Sequence, residues 1–464
     1  MNEAALGASF RDPSGYLFER DGVLLRSVQP SYAPHYDHLM ASGLYEALVE
    51  RSWLIPHEEV PPGENEYRLL RPERVAFISH PFEWCFGQLQ DAALTTLRVA
   101  KLALRFGMVL KDASAYNVQF QRGAPVFIDT LLFEMRTEGT PWVAYRQFCQ
   151  HFLAPLALMA HRDIGLNQLL RAHLDGIPLE LARSLLPARA WLNLHLVLHI
   201  RLHAGYQRRY SNTTQTVRAR PINQKSLANL IASLKSGVEK LRWHAAGTPW
   251  ADYYAGDSYE EDAFAHKREI VGSYLDRVEP SSVWDLGANT GVFSRMASER
   301  GIPTIAFDVD PACVDRNYRD ARSKHETQLL PLLLDLNNPS PAMGWALEER
   351  ASFIERRSAE LLMALALIHH LAIGNNVPLA RVAQLFARLA NYAIVEFVPK
   401  SDPKVQVLLA NREDVFRDYS EEGFEAGFVQ HFTIEDRSPI AESDRTLYLL
   451  RRRALHAEAT TSPA

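Results

Sequence analysis

The sequence predicts an α/β protein: a C-terminal sheet flanked by helices, preceded by an α+β N-terminal domain with a helical lobe. Three observations carry this. First, Ser282-Val-Trp-Asp-Leu-Gly-Ala-Asn-Thr-Gly-Val-Phe-Ser294 runs from an apolar strand through a turn with glycines at Gly287 and Gly291 into the start of a helix. Glycine lets backbone approach a ligand without a clashing Cβ, and a helix start offers unpaired N–H groups, so such units suit nucleotides. Second, apolar strand-like segments alternate with helical patterns from there onward, as in a parallel sheet. Third, residues 1–138 mix short strand patterns joined by turn signals with long helical ones.

At 464 residues the chain exceeds what one core organises, so separate domains are expected. With 47% hydrophobic and 23% charged residues and a formal net charge of −5, it lacks the basic excess of a nucleic-acid binder. Cys85, Cys149 and Cys313 are isolated. They suit neither a disulfide framework nor a zinc site, so a reducing cytoplasm is expected, with the thiols as buried small hydrophobes. The sequence opens without a basic leader, and no uninterrupted apolar run reaches the roughly 18 residues of a membrane span, so neither secretion nor membrane insertion is expected.

In order along the chain, residues 15–28 alternate around Asp21-Gly22, a strong hairpin signal. The periodicity then predicts a helix over 33–51, strands at 67–70 and 74–79, and a long helix over 85–106. In Leu110-Lys-Asp-Ala-Ser-Ala-Tyr-Asn-Val-Gln-Phe120, Asp112 and Asn117 precede Asp129, which ends an apolar strand. This spacing, and the order of the elements before it, resemble the protein kinase and aminoglycoside-phosphotransferase folds. The resemblance implies Asp112 as a base and Asn117 and Asp129 as Mg²⁺ ligands. Several positions depart from that pattern. Leu110-Lys111-Asp112 stands for His-Arg-Asp, Asp129-Thr-Leu stands for Asp-Phe-Gly, and no lysine precedes Lys101, which leaves Arg26 as the stand-in for the small-lobe lysine. The alternative is that Asp112 and Asn117 are turn residues bonded to local backbone.

Residues 139–210 read as a helical lobe in which Trp142, Tyr145, Phe148, His151 and Phe152 form core at helical spacing. His195, His199 and His203 repeat along one helix face with no carboxylate at ligand spacing, so packing is expected rather than a metal. Residues 211–247 read as a linker and a bridging helix, the linker being the basic, proline-ended stretch 208–221. The domain 248–452 opens with Trp250, Tyr253, Tyr254 and Tyr259, either a lid or aromatic anchors for the helix that follows. Residues 453–464 are small and polar, as in a disordered tail.

The turn after Asp285 reads Gly287-x-Asn289-x-Gly291, which departs from the G-x-G-x-x-G of dinucleotide sites, and the carboxylate before it would repel a pyrophosphate. It resembles instead motif I of class I S-adenosyl-L-methionine-dependent methyltransferases, with Asn289 in place of the middle glycine. That resemblance implies a Rossmann-like sheet, with Asp285, Gly287, Asn289 and Gly291 holding the methionine half of the cofactor and Asp308, at the end of the next strand, the ribose. It extends over roughly the last 200 residues. Residues 329–335 look like strand three, with Asp335 toward the adenine, 361–371 like strand four and its loop, 393–398 like strand five, and 427–434 with 445–451 like the closing antiparallel pair.

Methyl transfer needs an aligned acceptor and, where that acceptor is protonated, a base. The loop after strand four supplies His369 and His370 as catalytic candidates, His369 ahead, with a structural histidine as the alternative. Glu396 and Lys400 are further candidates for orienting substrate. The Asn/Asp-Pro-Pro-aromatic motif of nucleic-acid amino-methylation is missing after strand four. The expectation is therefore S-adenosyl-L-methionine as cofactor, no metal, and methylation of oxygen or nitrogen on a small-molecule, glycan or protein acceptor, with a large N-terminal domain suited to a bulky one. Two alternatives stand beside it: a bifunctional methyltransferase with a kinase-like phosphotransferase domain, and a non-catalytic cofactor-binding scaffold.

Overall fold

The computed structural model describes residues 5–63, 66–202, 222–244, 261–410 and 413–454. The linker candidate at 208–221, His203, the aromatic quartet from Trp250 to Tyr259 and the tail from residue 455 lie outside the described residues. The chain forms two compact units, Met1–Ala246 with Pro341–Ser352, and Gly247–Ser340 with Phe353–Ala464. The sequence reading assigned residues 341–352 to the C-terminal domain; they pack in the first unit.

The first unit begins with a four-stranded antiparallel sheet in the order β1-β2-β4-β3, built from β1 (Leu17–Arg20), β2 (Val23–Val28), β3 (His57–Val60) and β4 (Arg68–Pro72). Asp21 and Gly22 both take positive φ at the β1–β2 turn, as the hairpin signal requires. The helix expected over 33–51 is two helices, α1 (Ala33–Ala41) and α2 (Leu44–Val49), broken where Gly43 turns left-handed at φ 82°. Residues 74–79 are not a strand. Pro72 closes β4, and Val75 is buried instead against Ile55 and Val126. The long helix α3 (Phe86–Arg105) buries a broad apolar face.

Short antiparallel pairs follow: β5 (Met108–Leu110) with β8 (Phe133–Met135), and β6 (Val118–Gln121) with β7 (Ala124–Phe127). The helical lobe includes α4 (Ala154–His161) and α5 (Leu179–Leu185), and α6 (Gln224–Lys240) packs against α3. His195 and His199 both meet Ser233 Oγ of α6, at 3.3 and 2.9 Å, and Tyr145 Oη reaches His199 at 2.9 Å. Cys85, Cys149 and Cys313 are buried free thiols.

The second unit starts with α7 (Glu261–Val278), followed by β9 (Val283–Leu286), α8 (Val292–Ser298), β10 (Thr304–Asp308), α9 (Pro311–Ser323), β11 (Leu329–Leu333) and β12 (Ala359–Ala364). Then come α10 (Leu379–Leu389), β13 (Ala390–Phe397), α11 (Pro403–Leu409), α12 (Glu421–Phe428), β14 (Phe432–Pro439) and β15 (Thr446–Arg452). These strands form one seven-stranded sheet, β11-β10-β9-β12-β13-β15-β14, parallel except at β15. The interior strand β9 is buried along its whole length, as a parallel strand covered on both faces must be. On one face Val283, Leu361, Met363 and Ile394 pack against Val271, Tyr274 and Leu275 of α7. Trp284 packs edge-on to Phe307 and tilted against Phe353.

Candidate functional site

The order of the sheet reverses at β9, because the chain runs β9-β10-β11 to one side and then returns to place β12 on the other. Open α/β sheets bind ligands beyond the carboxyl ends of their strands at such a point. Here those ends open onto a cavity of about 280 Å³. Gly287, Asn289, Asp308, Asp335 and His370 contribute to its lining, with apolar wall from residues such as Phe307 and Leu334.

The turn after β9 passes through three left-handed residues, Gly287 at φ 74°, Asn289 at 50° and Gly291 at 80°. Asparagine tolerates this conformation better than other β-carbon-bearing residues, so the middle position keeps its shape without glycine. At Gly291 a Cβ would lie 2.5 Å from Asn317 Nδ2, so this glycine serves packing and does not line the cavity. Gly287 does line it.

Asp308 locks the turn. Its Oδ2 accepts the Asn289 N–H at 2.7 Å and its Oδ1 accepts the Asp310 N–H at 2.8 Å. The Val309 N–H also bonds to this carboxylate, which with about four acceptor sites keeps one to spare. Burial pushes its pKa up to about 6, against the pull of those backbone N–H groups. Asp335 is exposed at the cavity wall and accepts the Asn337 N–H at 2.9 Å.

Asp285 departs from the expectation that it holds the ligand. It is 2% exposed, lies outside the lining, and accepts the Ser294 hydroxyl of α8 at 2.6 Å. Burial raises its pKa to about 7, with Asp308 adding to the rise and the Ser294 hydroxyl and Lys267 opposing it. Its side chain follows the Val283 face of β9, toward the helices and away from the crevice.

The two histidines part company. His369 is 1% exposed, neither of its ring nitrogens has a hydrogen-bond partner among the described residues, and it does not line the cavity. Burial, followed by the neighbouring His370 and Arg445, lowers its pKa to about 3. His370, which begins a π-helical turn His370–Gly374, reaches the cavity. Burial lowers its pKa too, so it is neutral at neutral pH. The sequence put His369 ahead, whereas of the two it is His370 that lines the cavity, because the turn after Ile368 puts His369 in the core.

Glu396 is no substrate contact either. It is fully buried, bridged by Lys267 at 2.6 Å and Arg445 at 3.2 Å, and it accepts the Ala366 N–H at 2.8 Å. Arg445 in turn meets Asp402 at 2.7 Å. This network fixes the loop that carries His370. Lys400 pairs on the surface with Asp414 at 2.8 Å. The segment 334–337 and Asn375 also line the site, and Asn375 Nδ2 donates to the His370 carbonyl at 2.9 Å. Sequence offered no spacing signal for Asn375.

In the first unit, Asp112 accepts the Ser114 N–H at 2.8 Å, the local bond of a turn residue. Asp129 is held by Arg26 at 2.9 Å, which also pairs with Asp12 at 2.5 Å. Arginine therefore engages the carboxylate that a phosphotransferase would give to Mg²⁺. Among the described residues no group of acids, histidines and cysteines has metal-site geometry, and no helix is long and apolar enough to cross a membrane.

Sheet order, glycine turn and crevice together define the second unit as a class I methyltransferase fold. Along nearly its whole length the chain is similar to the nodulation protein NoeA of Rhizobium meliloti (strain 1021), 36% identical over 461 residues, 96% of each chain, and it belongs to that family. No family model matches the sequence. Similar solved structures include magnesium protoporphyrin IX methyltransferase (ChlM) from Synechocystis PCC 6803 with bound SAH, 15% identical, covering 43% of this chain and 92% of that one at a TM-score of 0.30. The N-methyltransferase NodS from Bradyrhizobium japonicum WM9 is 12% identical, covering 42% of this chain and 99% of its own at 0.31. The bifunctional kinase-methyltransferase WbdD is 17% identical, covering 43% of this chain and 42% of its own at 0.29.

Proposed function

We propose that the chain is an S-adenosyl-L-methionine-dependent methyltransferase acting on oxygen or nitrogen of a non-nucleic-acid acceptor. The observation that carries this reading is the convergence of Gly287, Asn289, Asp308, Asp335 and His370 on one cavity at the carboxyl edge of the sheet. The residues fit the cofactor. Gly287 leaves backbone bare at the cavity, Asp308 keeps an acceptor site for the ribose hydroxyls, and Asp335 stands exposed where an exocyclic amine can donate to it. Bound there, the cofactor supplies a methyl group activated by the sulfonium.

The protein's own task is then to orient the acceptor and take its proton. His370 is the group placed to accept it, being neutral, at the cavity, and steadied through the Asn375 contact to its carbonyl. Methyl acceptors of this kind include a small molecule, a glycan or a protein. The relative is named for nodulation, and we place this chain in the same process; expression in a strain lacking that relative should restore the lost trait.

Calorimetric titration with S-adenosyl-L-methionine tests the central reading. Binding that weakens about 10- to 100-fold in Asp308→Ala supports it, since hydrogen bonds to a charged acceptor are worth about 1.5–3 kcal/mol. Absence of binding, or equal binding by the variant, refutes it.

A further inference from the structure

Residues 341–352 of the first unit fold back on themselves through the Met343–Arg350 bridge, and the Trp345 N–H donates to Glu349 Oε1 at 2.7 Å. Packing holds little of the tip: Trp345 and Leu347 are 69% and 65% exposed. Ala346 and Leu347 are consecutive left-handed residues, at φ 53° and 63°, a conformation that side chains disfavour. The base of the segment is what attaches it. Arg350 lays its guanidinium 4.6 Å over the Tyr116 ring, His80 Nε2 meets the Ala351 carbonyl at 3.0 Å, and Glu349 pairs with Arg11 at 2.5 Å.

At the base of this segment Arg350 Nε and, in the residues it packs on, the Tyr116 hydroxyl, Asn117 Nδ2 and His151 Nδ1 are all buried without a hydrogen-bond partner among the described residues. The His151 ring stands edge-on to Tyr116 at 6.2 Å, on a ring that the Arg350 guanidinium also overlies, and Asn117 is the next residue in the chain. Buried polar groups are normally paired, and several left unpaired together call for something that satisfies them. Each can donate, and the planar guanidinium matches an oxyanion.

We propose that Tyr116, Asn117, His151 and Arg350 form a binding site for a phosphoryl-bearing anion, which enters as residues 341–352 open and, once bound, holds them closed through Arg350. The anion supplies the acceptors these donors lack and, through Arg350, links the base of the segment to Tyr116 and His151. Because burial keeps the His151 imidazole uncharged at neutral pH, it donates as a neutral N–H. The site belongs to the first unit and stands or falls independently of methyl transfer.

Hydrogen–deuterium exchange on the full chain, with inorganic pyrophosphate as probe and sodium chloride at equal ionic strength as control, tests this. Amides of 341–352 should exchange about tenfold slower with pyrophosphate and not with chloride, and pyrophosphate affinity should fall about tenfold in Tyr116→Phe, which removes one hydroxyl only. Arg350→Lys, which keeps the charge and loses the planar fork, gives the same readout should the first variant fold poorly. Exchange that slows equally with chloride, or rises with pyrophosphate, overturns the proposal. No pyrophosphate binding, or unchanged affinity in both variants, overturns it as well. Citrate acting as strongly as pyrophosphate would overturn the phosphoryl assignment.

Discussion

Asp308 carries two duties that pull its proton in opposite directions. Its backbone N–H partners favour the carboxylate, as the ribose hydroxyls of the proposed function would, yet burial lifts its pKa to about 6. Cofactor affinity should therefore hold above neutrality and fall as pH drops through about 6, which calorimetry across pH 5–8 would register. Asp285 makes a different prediction. Its pKa rises from the ordinary 3.8 to about 7, so the folded chain binds this proton more tightly than the unfolded one. Stability is thereby lost as pH climbs between those values, and Asp285→Asn should flatten the slope in urea midpoints over that window. For the histidines, His370→Ala should cut turnover about 10²- to 10⁴-fold while leaving cofactor affinity nearly intact. His369→Leu should cost little stability, since a buried ring with two unpaired nitrogens gains nothing from being polar.

Among the elements, the β9 turn is where sequence was most transparent. Gly287 and Gly291 announce left-handed backbone, and Asn289 is a residue that follows them there. Gly291→Ala should destabilise the second unit by about 2–3 kcal/mol, combining a disfavoured φ with a Cβ driven into Asn317. Asn289→Gly should leave thermal stability nearly unchanged. The strands of the parallel sheet were equally legible, because burial on both faces writes them as apolar runs. β3 was not: His57-Glu-Glu-Val60 is an edge strand with no apolar alternation. Residues 74–79 alternate convincingly and still form no ladder, since Pro72 had already ended the sheet. Periodicity reports burial, and burial is not pairing.

Across the whole molecule, the features hidden from sequence are those made by distant segments meeting. Lys267, Glu396, Asp402 and Arg445 form one buried ionic chain, yet none of them advertises the others. Removing Glu396 leaves two buried cations facing each other, so Glu396→Ala should cost about 3–5 kcal/mol and loosen the His370 loop, measurable as a lowered melting temperature with reduced turnover. The resemblance to class I methyltransferases likewise placed the C-terminal domain at 248–452 without marking the short piece that leaves it.

That departure of residues 341–352 bears on how the protein is made. On the ribosome a chain emerges from its N-terminus, and compact parts usually mature as they appear. Here the leading part lacks a segment until Ser352 has cleared the exit tunnel, by which time β9, β10 and β11 have already been synthesised. Maturation of the two parts must overlap in time, and a nascent chain released after residue 246 would display the Tyr116 surface bare to whatever chaperone meets it first.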